Sequence, residues 1–149
     1  MKREDTVDHH IRSAWHAIAR MYNQQASKYK ATMAIGFVLL NIDVDEGTPA
    51  TKIAPLMGLE PRSLTRLLKS LEEQGAICRE VDKTDKRSVR IFLTEEGKKG
   101  RERAKETVLR FNEAVRDEIP EAKLNVFFDV IQHINKIIER NNIYETVNN

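Results

Sequence analysis

Two short segments of the chain concentrate basic side chains among hydroxyl groups and carboxylates, and both are suited to binding a polyanion. The first segment begins at Pro61 and the second at Asp82. Arginine presents its N–H donors in a planar fork that fits the paired acceptors of a guanine edge or a phosphate group. Lysine adds a point charge that attracts phosphate. The candidate residues are Arg62, Ser63, Thr65, Arg66, Lys69, Lys83, Asp85, Lys86, Arg87 and Arg90.

Catalytic and metal-binding constellations are not indicated by the sequence. It contains no nucleophile elbow, phosphate-binding glycine loop or metalloprotease helix, and its carboxylates are scattered along helical surfaces. The four histidines lack ligand spacing, since His9 and His10 are adjacent and would point apart on a helix while His16 and His133 stand alone. We therefore expect neither an enzyme nor a metal or cofactor site.

The segment that carries the first basic set is predicted to be a helix from Pro61 to Gln74. Leu64, Leu67, Leu68 and Leu71 recur at helical spacing, and Gly75 is a stop signal. The leucines would face the core, which leaves the polar residues of the amino-terminal turns on the outer side.

The second basic set lies in the loop of a predicted β-hairpin. Ile77 and Val81 alternate with polar residues before the loop, and Val89, Ile91 and Leu93 do so after it. A helix followed at once by a hairpin with a basic tip is the layout of a winged helix-turn-helix, so the sequence predicts a DNA-binding protein.

The rest of the chain is predicted to be helical. Apolar periodicity gives helices over residues 5–28, 32–42, 95–118 and 121–142, with Thr94 as the cap of the third of these. A short helix opens at Thr48-Pro49, with Thr48 as its N-cap and Pro49 at its first position. Pro55 predicts a kink in that helix or an earlier end. The expected fold is mainly α with a small β-hairpin wing.

Length, charge and composition limit the class of protein to which the chain can belong. The chain has 149 residues and a formal net charge of +2, and residues 48–110 hold 15 Lys and Arg against 10 Asp and Glu. The basic excess thus coincides with the predicted DNA-binding segment. With a single cysteine, a polar amino terminus and no apolar run longer than Ala34 to Leu40, we expect a soluble cytoplasmic protein. We interpret Cys78 as a packing residue rather than a redox switch.

The helices at the two chain ends carry more apolar surface than the winged segment could cover. Isologous dimers are the commonest oligomers, so we expect residues 1–30 and 95–149 to form dimerisation helices, with residues 48–94 as the winged helix-turn-helix of one domain spanning 1–149. A monomeric bundle is the alternative.

The segment from Thr48 to Gly97 resembles the MarR family of bacterial transcriptional regulators. The wing matches the family pattern D-x-R-D-x-R…L-T-x-x-G through Asp82, Asp85, Arg87, Leu93, Thr94 and Gly97, except that Thr84 replaces an arginine. The preceding stretch resembles the family's recognition helix, and the order of elements agrees over nearly the whole chain. Thr65, Arg66, Leu71, Glu72 and Gly75 carry the likeness in that helix.

The resemblance implies roles for the candidate residues. Arg62 and Arg66, with Ser63 and Thr65, would read base edges or clamp phosphates, and Arg87 would enter the minor groove while the Asp85 carboxylate orients its guanidinium. The remaining basic residues, Lys69, Lys83, Lys86 and Arg90, would attract phosphate. The family also suggests a repressor with a pseudo-palindromic operator and a small anionic or aromatic effector, for which the corresponding residues are Trp15, Tyr22, Met33 and Phe37.

Two alternatives remain open. The four effector-site residues fit an ordinary hydrophobic core equally well. The chain would also match a winged-helix protein-interaction module that does not bind DNA, although Arg66, Asp85 and Arg87 favour a DNA-binding function.

Overall fold

The structure, a computed structural model, describes residues 1–145. It forms two compact units, residues 1–108 and the residues from Leu109 onward. The helices of the described part are α1 (Val7–Ser27), α2 (Met33–Leu40), α3 (Ala50–Met57), α4 (Pro61–Glu73), α5 (Glu95–Glu118) and α6 (Glu121–Glu139), preceded by a 3-10 turn at Arg3–Asp5. The strands are β1 (Thr48–Pro49), β2 (Ile77–Val81) and β3 (Val89–Leu93). The mainly α fold with a small sheet is confirmed.

The predicted hairpin is confirmed in position. Strands β2 and β3 pair antiparallel, with Ile77 opposite Leu93 and Val81 opposite Val89. The inward positions near its base are buried, and Ile91 is completely so, whereas Val81 at the far end is exposed. The base of the hairpin therefore belongs to the core, and its tip projects beyond it.

The prediction that Thr48 caps a helix beginning at Pro49 is wrong. Both residues form β1, which pairs with Ile91 and Arg90 of β3, and α3 begins only at Ala50. The Thr48 hydroxyl accepts the backbone N–H of Asp43 at 2.9 Å. Proline fixes φ at a value that suits the first turn of a helix and an edge strand alike, so the local sequence did not distinguish the two. Pro55 lies inside α3, which continues to Met57.

One apolar core holds the winged segment and α2 together. Its members come from α2 and the residue Ile42 that follows it, from α3, α4 and the sheet, and burying each of the Val, Leu and Ile side chains contributes about 1.5–3 kcal/mol. They are Ile35, Val38, Leu39, Ile42, Ile53, Ala54, Leu64, Leu68, Leu71, Ile77, Ile91 and Leu93. The core thus fixes α4 and the wing relative to each other.

Helix α5 begins against the end of α4. Gly75, with φ at +75°, closes α4, and the Thr94 hydroxyl donates to the Gly75 carbonyl at 2.6 Å. The Thr94 oxygen also accepts the Gly97 N–H at 3.1 Å, which confirms Thr94 as the cap of α5. Gly97 passes so close to the chain that an added Cβ would overlap the carbonyl oxygen of Ala76.

We predict that Gly97→Ala destabilises the protein and that Gly100→Ala, in the same helix, leaves its stability nearly unchanged. Alanine gains about 1 kcal/mol over glycine in a helix. A Cβ at Gly100 would lie 3.0 Å from the Leu39 Cδ1 methyl, a side-chain end that needs to shift by only a few tenths of an ångström, so that variant should stay within about 1 kcal/mol of the unchanged protein. Gly97→Ala collides with backbone and should lower the free energy of unfolding by about 3 kcal/mol. Urea unfolding measures both, and equal stabilities would contradict the close approach.

Candidate functional site

The outer face of α4 carries the first set of predicted residues. Its apolar side, formed by Leu64, Leu68 and Leu71, is buried in the core. The opposite side is exposed and places all five predicted polar residues together, namely Arg62, Ser63, Thr65, Arg66 and Lys69. Proline at the first helical position and Glu60 in an extended conformation define where this face begins.

One of these residues, Thr65, already forms a side-chain hydrogen bond within the helix. The Thr65 hydroxyl donates to the Pro61 carbonyl at 2.8 Å, so its proton is used while its oxygen can still accept. The described structure gives Arg62, Arg66 and Lys69 no ion pair, and their charges face outward.

The wing loop, residues 82–88, is organised around the buried carboxylate of Asp82. One oxygen accepts the Thr84 hydroxyl at 2.7 Å and the Thr84 N–H at 2.9 Å, with the Asp85 N–H at 3.4 Å. The bonds from Thr84 are the main cause that lowers the pKa of Asp82 from 3.8 to about 2, and the Asp85 N–H and the positive charge of Arg90 add to it. Thr84, which departs from the family pattern, therefore stabilises the wing loop through its two hydrogen bonds to Asp82.

Asp85 organises the tip of the loop through the backbone. Its carboxylate accepts the backbone N–H of Arg87 at 3.0 Å and the Ser88 hydroxyl at 3.1 Å. In the part of the chain that the structure describes, no ion pair joins it to the Arg87 guanidinium, which is a difference from the role that the sequence suggested. Asp85 fixes where the Arg87 side chain leaves the loop, and that side chain is exposed, as are Lys83 and Lys86.

Arg90 stands apart from the other basic residues. Its guanidinium forms an ion pair with Asp82 at 3.3 Å and donates to the carbonyls of Glu46 and Gly47 at 3.1 and 3.3 Å. The sequence grouped Arg90 with the phosphate-attracting residues, whereas in the structure its guanidinium is held by Asp82 and two backbone carbonyls and its side chain is 29% exposed.

A cavity of about 190 Å³ lies in the first unit beside α2. Three of the four predicted effector residues line it, Tyr22, Met33 and Phe37, and burial raises the pKa of the Tyr22 phenol. Trp15 does not line it and is 49% exposed, so the structure does not bring Trp15 to this site.

Sequence reasoning missed the charged residues of the same cavity. Lys30 and Arg103 line it together with Glu96, and the Arg103 guanidinium lies 4.6 Å from the centroid of the Tyr29 ring. A cation held over an aromatic ring is a stabilised arrangement. No local pattern predicts these residues, because the turn after α1 and helix α5 supply them from distant parts of the sequence.

The interpretation of Cys78 as a packing residue is wrong, since this free thiol is exposed. It lies on the outward side of β2, opposite Phe92. Alternation along the strand explains this, because the inward position belongs to its neighbour Ile77.

Residues 1–145 contain neither a candidate metal site nor a membrane-spanning helix. No cluster of histidine, cysteine or acidic side chains there could hold a metal ion. No helix in the same residues has the length and apolar character to span a membrane.

Comparison with known proteins places this geometry in a family. The model of the MarR family matches residues 32–89, which run from the start of α2 to the first residue of β3. The regulator TtmR of Methylorubrum extorquens is 35% identical over 88 residues, covering 59% of this chain and 45% of TtmR. The structure of CouR from Rhodococcus jostii bound to p-coumaroyl-CoA is similar over 90% of this chain and 94% of CouR, with a TM-score of 0.77 and 25% identity.

The winged segment of the chain, residues 32–89, is of the MarR type. A DNA complex of MepR from S. aureus shares the fold, with a TM-score of 0.79 and 21% identity over 88% of this chain and 97% of MepR. The match to TtmR spans less than half of that regulator's length. Sequence similarity to TtmR is therefore confined to part of the chain, while the MarR fold extends over nearly all of it.

The pKa of Asp82 predicts how acid affects the MarR-type wing. A carboxyl group whose pKa is lower in the folded state stabilises the fold fully above its unfolded pKa and loses this contribution as the pH falls through the folded value. The contribution should therefore disappear between about pH 4 and pH 2. Asp82→Asn should be less stable at neutral pH, and the difference from the unchanged protein should narrow across that window.

Chemical denaturation at a series of pH values measures this difference. Glu80→Gln, a change of the same kind at an exposed position of β2, is the control. A constant gap between Asp82→Asn and the unchanged protein down to pH 2 would argue against the lowered pKa.

Proposed function

We propose that this chain is a homodimeric, sequence-specific DNA-binding transcriptional regulator of the MarR family, and specifically a ligand-responsive repressor. The observation that carries the proposal is that the polar face of α4 and the tip of the wing are both exposed while a single core holds their supporting elements. This arrangement provides two rigidly connected surfaces, one for each groove of a duplex.

Helix α4 would occupy the major groove. Only the amino-terminal turns of a recognition helix reach base edges, and Arg62 and Arg66 lie there on the exposed face. Each can present two parallel N–H donors to a guanine, or clamp a phosphate. Ser63 and Thr65 have shorter reach, with the Thr65 oxygen acting as an acceptor, and Lys69 one turn later would meet phosphate.

The wing would place Arg87 in the adjacent minor groove. A narrow minor groove has an enhanced negative potential that attracts arginine. The Asp85 bonds to the Arg87 N–H and to Ser88 restrict the backbone from which this side chain extends. A restricted backbone loses less entropy on binding. Lys83 and Lys86 would add attraction to the phosphates on either side.

Relatives support the DNA-binding assignment. MepR, which shares the fold, has been crystallised in complex with DNA, and TtmR is named as a helix-turn-helix transcriptional regulator. Among the residues proposed to contact DNA, the family likeness includes Arg87 in the wing and Thr65 and Arg66 in α4.

Exposed apolar surface on the terminal helices supports a dimer. Within the first unit, Val7, Ile11 and Trp15 of α1 are exposed, and within the second unit α6 exposes a larger set. Apolar surface of this extent on a soluble protein marks an interaction site. Two copies related by a two-fold axis would read half-sites about one helical turn apart. The exposed residues of α6 are Val126, Phe127, Phe128, Val130, Ile137 and Ile138.

The cavity beside α2 supports ligand control. Its aromatic residues Tyr22, Tyr29 and Phe37 and its cations Lys30 and Arg103 suit a small anionic aromatic compound. CouR, a structural relative, was crystallised with p-coumaroyl-CoA, which is both aromatic and anionic. A ligand would release DNA only by binding the DNA-incompetent arrangement more tightly than the competent one.

The protein should bind a specific duplex with a steep dependence on salt. The DNA immediately upstream of its coding region is the first probe, with random duplex as competitor. Specific binding should reach a Kd of about 10 nM or tighter. If each dimer contacts about six to ten phosphates, log affinity should fall against log salt with a slope of about −5 to −9. Weak binding that competitor abolishes, for this probe and for a set of genomic fragments, would favour the protein-interaction module instead.

Arg87→Ala should weaken binding to that duplex by about 1–3 kcal/mol without loss of the fold. The arginine is exposed and its guanidinium has no hydrogen bond or ion pair in residues 1–145, so its removal leaves the wing loop intact. Lys105→Ala, which removes one exposed positive charge from α5, is the matched control and should have a much smaller effect. Unchanged affinity of a folded Arg87→Ala protein would remove Arg87 from the interface.

A further inference from the structure

We propose that Arg90 is a positioning residue of the wing, which acts on DNA binding through Arg87 and makes no phosphate contact of its own. The inference rests on the proposed DNA-binding function and assigns Arg90 a role different from that of the other basic residues. Its evidence is the set of bonds that hold the Arg90 side chain between two loops.

The first bond joins Arg90 to the wing loop. Its Nε donates to the Asp82 carboxylate at 3.3 Å, and the two side chains are 29% and 8% exposed. The other ion pairs of the described residues are more exposed, from Arg79 with Glu72 at 36% and 45% to Arg12 with Asp8 at 66% and 75%. An exposed pair contributes little, whereas breaking a largely buried one leaves a charge without its partner.

The second attachment joins Arg90 to the loop that precedes β1. Its Nη1 donates to the carbonyl oxygens of Glu46 and Gly47, more than forty residues earlier in the chain. Gly47 adopts φ +67°, and an added Cβ would lie 2.6 Å from the Ile91 carbonyl oxygen. This loop is therefore packed tightly against β3, and Arg90 fastens it to the wing.

The bonds of Asp82 continue the connection towards Arg87. One Asp82 carboxylate oxygen accepts the Arg90 Nε–H. The other accepts the Thr84 hydroxyl, the Thr84 N–H and the Asp85 N–H. Asp85 in turn accepts the Arg87 N–H. Arg90 thus fixes the carboxylate that shapes the loop, and the loop fixes the point from which Arg87 extends.

A phosphate contact by Arg90 would conflict with this arrangement. The guanidinium would have to leave Asp82, whose carboxylate is almost fully buried, and two backbone carbonyls. The planar guanidinium is needed for these bonds, because Nε and Nη1 donate to acceptors on two different segments of the chain. The single ammonium group of a lysine could not make both sets of bonds as well.

A double-mutant cycle between Arg90 and Arg87 tests the proposal. The probe is the tightest duplex that the unchanged full-length protein selects from a random pool, so that no operator is assumed. Arg90→Gln alone should weaken DNA binding at least about 5-fold, but less than about 2-fold when it is introduced into the Arg87→Ala background. The effects should overlap because both changes remove the contribution of Arg87 to DNA binding. Lys83→Gln, which removes a charge on the wing loop, should have the same effect in both backgrounds.

Two further variants distinguish positioning from a direct charge contact. Arg90→Lys keeps the charge but lacks the fork, so it should bind nearly as weakly as Arg90→Gln. Asp82→Asn should also weaken binding, although it removes a negative charge from the wing. It should raise amide hydrogen exchange at Thr84, Asp85 and Arg87 in the free protein, a readout that requires no DNA and is available if Arg90→Gln fails to fold.

Independent, additive losses from Arg90→Gln and Arg87→Ala would overturn the inference. So would wild-type affinity for Arg90→Lys, or tighter binding by Asp82→Asn, since either result indicates a direct phosphate contact by Arg90. These results leave the proposed function standing, because the unchanged protein still selects a duplex. A protein that selects no duplex overturns the proposed function and this inference together.

Discussion

The central position of β3 is the constraint on which the winged segment depends. This strand pairs with β1 on one side and β2 on the other, and Ile91 at its middle is fully buried in the core. Because side chains alternate along a strand, burying Ile91 and Leu93 inward leaves Arg90 on the other face, between the loops that precede β1 and follow β2. A shift of one residue in the register would expose the core residues and break the Arg90 bonds together.

Much of this fold could be predicted because it is encoded in local patterns. The four-leucine stripe of α4, the alternation of β2 and β3, and the cap at Thr94 each depend on residues near one another in sequence. Strand β1 could not be predicted in this way. It is two residues long, and its pairing with Ile91 and Arg90 depends on a contact across more than forty residues. Thr48 and Pro49 have the chemistry of a helix start, and only their distant partner decides otherwise.

In the candidate site, too, some features follow from local sequence patterns and others depend on distant contacts. Exposure of Arg62 and Arg66 follows from the apolar periodicity of α4, and exposure of Arg87 follows from its place in the polar loop between two strands. The partners of Asp85 and Arg90 do not follow from periodicity. Asp85 bonds to the backbone of Arg87 and not to its guanidinium, and Arg90 is engaged by carbonyls from another loop. Charge type and spacing identify a basic residue near DNA, but its hydrogen bonds decide whether its charge is available.

The bonds of Arg90 also connect the wing to the cavity. Helix α2 lines the cavity with Met33 and Phe37, and the chain that leaves α2 leads into the loop whose carbonyls hold Arg90. That loop is itself ordered, since the Asp43 carboxylate accepts the N–H groups of Asp45 and Glu46, which lower the pKa of Asp43. Both ends of this connection lie in the first unit, so it needs no second protomer. It becomes a regulatory path only for a ligand that binds one arrangement of α2 more tightly than another, because spatial continuity alone carries no coupling free energy.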